Sequence, residues 1–326
     1  MSTPSADHAP VHRWRAFLLA IALAIASLAV TAVPANAVTQ LPRASGSGAY
    51  VGAGAPAALA SFGTWRGRKA DFASDYLSMR SWAEFEKPWL IGKWKTTGTQ
   101  VVLGVPMLMN DTSTTLPKGA NGSYDYHFRN LATYLVANGY GNASLRLGWE
   151  FNGSWQRWSA AKDPVAFVLY WRRIVNAMRS VPGQSFAFDW NINGGSASVK
   201  PETVYPGDAY VDYIGTDVYD WRWASPTYTP AARWTWIVNQ PYGLTWVAMF
   251  ARAHGKRITV PEWGLAPKWT MQNGGGGDDP YYVNAMMAWQ RANRVAYQAY
   301  YNWNDSAINT GKFPNGAAKY RALIWP

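Results

Sequence analysis

The chain has 326 residues, 30 Lys and Arg against 19 Asp and Glu, and a formal net charge of +11. It has no cysteine, which excludes disulfide staples and a thiol nucleophile. The positive charge is scattered, with no run of Lys or Arg longer than two, so it suits a basic protein near an anionic cell envelope better than a nucleic-acid binder.

The first 37 residues read as a secretory leader. His12, Arg13 and Arg15 precede an apolar run from Ala16 to Val30, and Pro34 and the triplet Ala35, Asn36, Ala37 follow. Basic, apolar, then small residues is the layout of a signal peptide. The apolar run, about 15 residues, falls short of the roughly 20 that a membrane span needs. Cleavage after Ala37 is expected to leave residues 38–326 as one exported domain without a membrane span. An uncleaved anchor is the alternative.

From there, short apolar runs alternate with amphipathic segments. Strands are expected at Ala49–Ala53, Ala70–Ala73 and Gln100–Val105, then a helix over Tyr126–Asn138 with Phe128, Leu131, Leu135 and Val136 on one face. Strand four, Ala143–Trp149, leads to a helix over Asp163–Arg179, where Asp163 caps and Pro164 takes the first helical position. Strands five and six, Ser185–Trp190 and Tyr213–Asp217, precede a helix over Leu244–His254 that Gly255 closes. Strand seven, Arg257–Pro261, a helix over Asp279–Arg294 and strand eight, Ala296–Tyr301, complete the series. Strands alternating with helices imply a parallel sheet. Eight of them in one α/β domain fit a (β/α)8 TIM barrel. A doubly wound open sheet is the alternative, but no G-x-G-x-x-G follows the first strand.

In such a barrel, chemistry gathers where strands end. Strand four delivers Glu150 in the segment RLGWEFNGSWQRW. A carboxylate there is partly desolvated, which raises its pKa as a general acid requires. Trp149, Trp155 and Trp158 supply that environment and flat faces for sugar rings. The bland alternative is a loop Glu paired with Arg146 or Arg157. Strand seven delivers Glu262 in RITVPEWGLA, with a structural cap as its alternative. Two carboxylates flanking a glycosidic bond are the minimum apparatus for hydrolysing it. The count of 20 Trp raises the odds of carbohydrate contact, although many must pack the core.

Other strand ends add candidates. Asp217 and Tyr219 end strand six; the aspartate is a candidate substrate contact or, equally, a structural partner of an arginine, and the tyrosine is expected to orient the nucleophile. Trp303 follows strand eight and suits the floor under the sugar. Arg146 precedes Glu150 by four residues, on the same strand face, and is expected to keep Glu262 charged. Asn191 and Asn193 end strand five and, with Asp71 and Asp75 near strand two, are candidates to touch substrate hydroxyls. His127 and His254 lie in helical segments and read as packing or surface residues. No G-x-S-x-G or H-E-x-x-H signal is present. The Asp278–Asp279 pair lacks calcium-loop spacing, so neither metal nor cofactor is called for. The expected partner is a polysaccharide or oligosaccharide bound by a monomer. The rivals are a non-catalytic glycan-binding barrel and an inverting hydrolase pairing Glu150 with Asp217 or Asp189.

The segments RLGWEFNGSW, DYIGTDVYDW and VPEWGLA resemble glycoside hydrolase family 26 and its wider clan A. The resemblance spans roughly residues 49–305 and rests on these three short motifs. It implies a (β/α)8 barrel and a retaining mechanism, with Glu150 as acid/base and Glu262 as nucleophile. Tyr219 then matches the strand-six tyrosine, Arg146 an arginine on strand four and Trp303 the strand-eight aromatic. Members act on β-mannans, β-1,3-xylan or mixed-linkage β-glucans. The family usually carries a histidine before its acid/base, and this chain carries Trp149. The resemblance therefore implies the chemistry more closely than the sugar.

Overall fold

The structure, a computed structural model, describes residues 43–195, 197–221, 229–268 and 274–324. The leader expected over residues 1–37 lies outside the described residues. Eight parallel strands close into one barrel, each paired with its sequence neighbours and the last with the first. They are β1 (Gly46–Tyr50), β2 (Phe72–Tyr76), β3 (Gln100–Val105), β4 (Ser144–Leu147), β5 (Ala187–Asn193), β6 (Tyr213–Tyr219), β7 (Arg257–Gly264) and β8 (Tyr297–Tyr301). The TIM-barrel expectation holds. Among the described residues, no helix is long and apolar enough to cross a membrane.

Side-chain alternation sorts each strand into two faces. Outward residues such as Leu103, Leu145, Phe188, Trp190 and Ile214 are buried in the apolar shell between strands and helices. Inward residues fill the barrel. At its floor Phe72 meets Tyr297 edge-on, with ring centroids 5.5 Å apart, and Val102 and Ala299 join them. Space inside is short, so glycines admit large neighbours. A Cβ on Gly104 would overlap the Tyr76 ring, and one on Gly215 would overlap the Asp189 carboxylate.

The helices follow their sequence signals. Asp163 accepts from the Ala166 N–H at 2.9 Å and caps Pro164–Arg179. Asp279 likewise caps Pro280–Ala292, accepting from Tyr281 and Tyr282.

Four strands differ from expectation in ways that matter to the site. β1 begins and ends three residues earlier than read. β2 runs on to Tyr76 and β5 to Asn193. On β7 one extra residue lies between the pairs Gly215–Thr259 and Asp217–Glu262. That bulge shifts the alternation, so Thr259 and Glu262, three apart, both face into the barrel. Without it the inward position would fall to Pro261.

Candidate active site

The mouth of the barrel is built from the topmost inward residues of several strands. Glu262 receives donors on both oxygens. Tyr219, ending β6, donates its hydroxyl to Oε1 at 2.6 Å. Tyr76, ending β2, donates to Oε2, and accepts in turn from Arg146 Nη1 at 3.0 Å. Burial pushes both phenols well above their ordinary range, so they stay protonated and act as donors. Every one of these neighbours treats Glu262 as an acceptor.

Arg146 reaches Glu262 as expected, but its closer partner is another carboxylate. Its Nη2 lies 2.5 Å from Asp217 Oδ2 and 3.5 Å from Glu262 Oε2, and its Nε donates to Asn191 at 2.9 Å. The guanidinium is fully buried. Its closer ion pair is with Asp217, and its tighter link to Glu262 runs through the Tyr76 hydroxyl. For Asp217 the arginine-partner alternative holds, and the expected substrate contact of Asn191 is corrected. Asp217 and Asn191 are both sealed from solvent and hydrogen-bonded to each other at 3.1 Å, so they hold Arg146 and present nothing to a sugar. Burial pushes the Asp217 carboxyl upward, and Arg146 opposes it.

Glu150 sits in a tight turn just after β4. Its φ is 53°, in the left-handed region that non-glycine residues seldom occupy. Its N–H donates to Asn191 O at 2.8 Å and its carbonyl accepts from Gly153, which fixes the turn. The side chain accepts from Asn193 Nδ2 at 2.7 Å and from Trp155 Nε1 at 3.0 Å. Burial, and then the nearby charge of Glu262, push its carboxyl above the ordinary range; Asn193, Trp155 and Arg146 act the other way, and more weakly.

The tryptophans separate by role. Trp155 lies across the Gly153 backbone and is 57% exposed, beside Glu150. Trp149 is half-buried and leans on Tyr76, with centroids 5.2 Å apart. Trp158 was expected to touch substrate but is fully buried. It packs on Trp149 at 4.6 Å, and its indole N–H donates to the Trp149 carbonyl. It therefore props the turn that carries Glu150. Trp303 is 41% exposed and packs near Tyr50 at 6.0 Å, on the side of the mouth formed by β1 and β8. Tyr50 stacks on Tyr301 at 5.1 Å and meets Tyr76 edge-on.

The remaining candidates fall elsewhere. Asp75 points away from the barrel interior and accepts from Trp94 Nε1, Gly54 N and Tyr76 N. Asp71 accepts from Ser47 N and pairs with Arg68. Asp189 is buried in the barrel, where Thr259 and Tyr297 donate to it. Neither it nor Asp217 has the solvent access that a base activating water needs. His127 stacks flat on Trp82 at 4.0 Å and pairs with Glu86, and His254 pairs with Asp208. Asp278 accepts from Asn315 and Gly316, and Asp279 pairs with buried Arg233. Among the described residues, no group of three His, Asp or Glu is arranged to hold a metal.

Tyr76 and Asn193 are the residues that complete the two carboxylate shells. A second strand that ends at Ala73, as the apolar run suggests, leaves Tyr76 in a loop. The signal that finds it is the alternation Phe72, Ser74, Tyr76 once the strand is extended. Asn193 lies one inward step nearer the mouth than Asn191, and of the two side chains it is the one that reaches the Glu150 carboxylate.

Comparison with known proteins decides the relationship. A family profile described as Glycosyl hydrolase family 26 matches residues 143–262, from the start of β4 to Glu262 itself. Over those residues the chain is similar to family 26 glycoside hydrolases. Endoglucanase H of Acetivibrio thermocellus is 23% identical over 294 residues, covering 85% of this chain and 30% of that protein. The chain thus spans less than a third of that relative. Among solved structures, a double mutant of Cellulomonas fimi endo-β-1,4-mannanase superposes with a TM-score of 0.61 at 18% identity, covering 85% of this chain and 70% of the other. A Bacillus subtilis mannanase superposes with a TM-score of 0.56 at 14% identity, covering 88% and 86%. At these identities the likeness is one of fold.

Proposed function

We propose that this chain is a secreted, retaining, endo-acting glycoside hydrolase that cleaves a β-linked polysaccharide by double displacement. Glu262 attacks the anomeric carbon while Glu150 protonates the departing oxygen. Water, deprotonated by Glu150, then hydrolyses the glycosyl ester on Glu262. The observation that carries this reading is the unequal setting of the two carboxylates. Glu150 is raised by burial and met, among the described residues, by an amide and an indole, as an acid requires. Glu262 is held between two phenols with Arg146 behind them, as an oriented nucleophile requires. The inverting alternative has less support, because Asp189 and Asp217 are sealed in the interior.

The relatives' names put β-mannan and glucan at the head of the substrate panel, with xylan next. Trp149, which stands before the acid/base, is the first residue to examine for sugar preference. Export rests on the order of residues 1–37. The partner in this reading is polysaccharide and not nucleic acid, and the working unit is a monomer.

The test is reducing-sugar release and product mass on a panel of β-mannan, mixed-linkage glucan and xylan. Glu262→Gln is expected to abolish release. Glu150→Ala is expected to spare activated aryl glycosides far more than polysaccharide, since a good leaving group needs no acid. Full activity of Glu262→Gln on a cleaved glycan contradicts the assignment.

A further inference from the structure

Two indoles lie on the glycines of the loop that follows β1. A Cβ on Gly52 would stand 2.6 Å from the Trp303 ring, and one on Gly54 would stand 2.5 Å from the Trp89 ring. Both glycines have positive φ, 102° and 56°, so a side chain at either would be strained as well as crowded. The two glycines are separated by at most about 7 Å of chain. Both indoles therefore rest on the same short loop.

Trp89 opens the helix Trp89–Lys95, whose N-terminus faces the same end of the barrel as the active site. Its neighbour Leu90 is 2% exposed and belongs to the core, whereas Trp89 is 51% exposed. The indole is seated by a glycine yet left open. A row of aromatic rings leads from the centre to the same loop. Tyr76 donates to Glu262, Tyr50 meets Tyr76 at 5.1 Å, Trp303 meets Tyr50 at 6.0 Å, and the loop whose Gly52 lies under Trp303 carries Trp89 on its Gly54.

We propose that Trp89, with Trp303 between it and the centre, forms a distal stacking subsite for a further sugar ring of the same polysaccharide. The inference rests on the polysaccharide reading above. It names the side of the cleft, that of β1, β2 and β8, along which the chain lies. Stacked rings would present C–H faces to both indoles, while Gly54 keeps the Trp89 face level with the loop.

The test compares wild type with Trp89→Ala, Trp89→Phe, Gly54→Ala and Met249→Ala, the last a control at a 66% exposed apolar residue on another helix. Each is assayed on the cleaved polysaccharide, on its oligosaccharides of increasing length and on an activated aryl glycoside. Melting temperatures accompany the assays. Trp89→Ala is expected to raise KM on the polysaccharide about tenfold, which is ~1.4 kcal/mol, with kcat held within about twofold. The dependence of KM on oligosaccharide length should flatten, and the loss on the aryl glycoside should be several-fold smaller. Trp89→Phe should recover most of the loss, Gly54→Ala should reproduce it, and Met249→Ala should change nothing. An unchanged KM in Trp89→Ala overturns the proposal, and so does an equal loss on polysaccharide and aryl glycoside. If wild type cleaves no glycan, the enzyme reading fails first. The subsite then stands or falls on whether Trp89→Ala weakens binding of the longest oligosaccharide, measured calorimetrically.

Discussion

Tyr76→Phe removes one oxygen and leaves the ring. The phenyl still packs on Trp149 and Tyr50 at 5.2 and 5.1 Å, so the fold of the mouth should survive. Two interactions are lost: the bond donated to Glu262 Oε2 and the one accepted from Arg146 Nη1 at 3.0 Å. Each involves a charged partner, and such bonds contribute about 1.5–3 kcal/mol. If only the bond to Glu262 matters in the transition state, the rate should fall roughly 10- to 150-fold, at 1.36 kcal/mol per decade. The assay is kcat and KM on the cleaved polysaccharide, beside Tyr219→Phe, which removes the 2.6 Å donor to Oε1. Both variants should lose kcat with little change in KM, and both should melt within a few degrees of wild type. Tyr76→Phe with wild-type kcat refutes the reasoning that Glu262 must be held by both oxygens.

Four further outcomes are expected. Trp155→Phe removes a hydrogen bond that lowers the Glu150 carboxyl, so the alkaline limb of the kcat/KM profile should move to higher pH; a shift to lower pH contradicts the assignment of the acid. Native Glu150 holds its proton more tightly than it would in the unfolded chain, so ionising it costs stability. That cost is absent below the ordinary carboxylate range and grows as pH rises through the native midpoint. The melting temperature of Glu150→Gln relative to wild type should therefore climb with pH across that window, as differential scanning calorimetry would show. Asp217→Asn leaves buried Arg146 with its closer charge partner gone, and denaturant titration should find a loss of about 3–5 kcal/mol. Gly104→Ala would drive a methyl into the Tyr76 ring, costing about 1–3 kcal/mol by overpacking and lowering kcat through the same tyrosine.

The barrel was legible because its strands are apolar runs bounded by helix signals. β3 matched residue for residue, and Asp163 and Asp279 announced their helices through the caps they form. Strand ends were harder to read, since backbone pairing continues into polar and aromatic sequence that periodicity treats as loop. That is how Tyr76 escaped notice. It is also why Asn191 and Asn193 looked equivalent, although they stand on successive inward layers and meet different carboxylates. The β7 bulge is invisible to alternation, yet it turns Glu262 into the mouth; only the rule that chemistry gathers at strand ends found that residue. Trp158 was misjudged, and the closer partner of Arg146 left open, for a third reason. Their partners, the Trp149 carbonyl and the Asp217 carboxylate, are brought close by loop return and barrel closure, which local sequence does not encode. The left-handed backbone of Glu150 belongs with these, because it is imposed by the bonds to Asn191 and Gly153 and not by the residue's own preference.

The most direct test of the two-carboxylate mechanism is to trap its intermediate. The protein would be incubated with an activated 2-deoxy-2-fluoro glycoside of the sugar it cleaves, quenched in acid, digested and measured by peptide mass spectrometry. Double displacement at this site predicts one added fluoroglycosyl group on the peptide that carries Glu262, absent from Glu262→Gln. An adduct on any other carboxylate, or turnover of the natural substrate with inversion and no adduct at all, would contradict it.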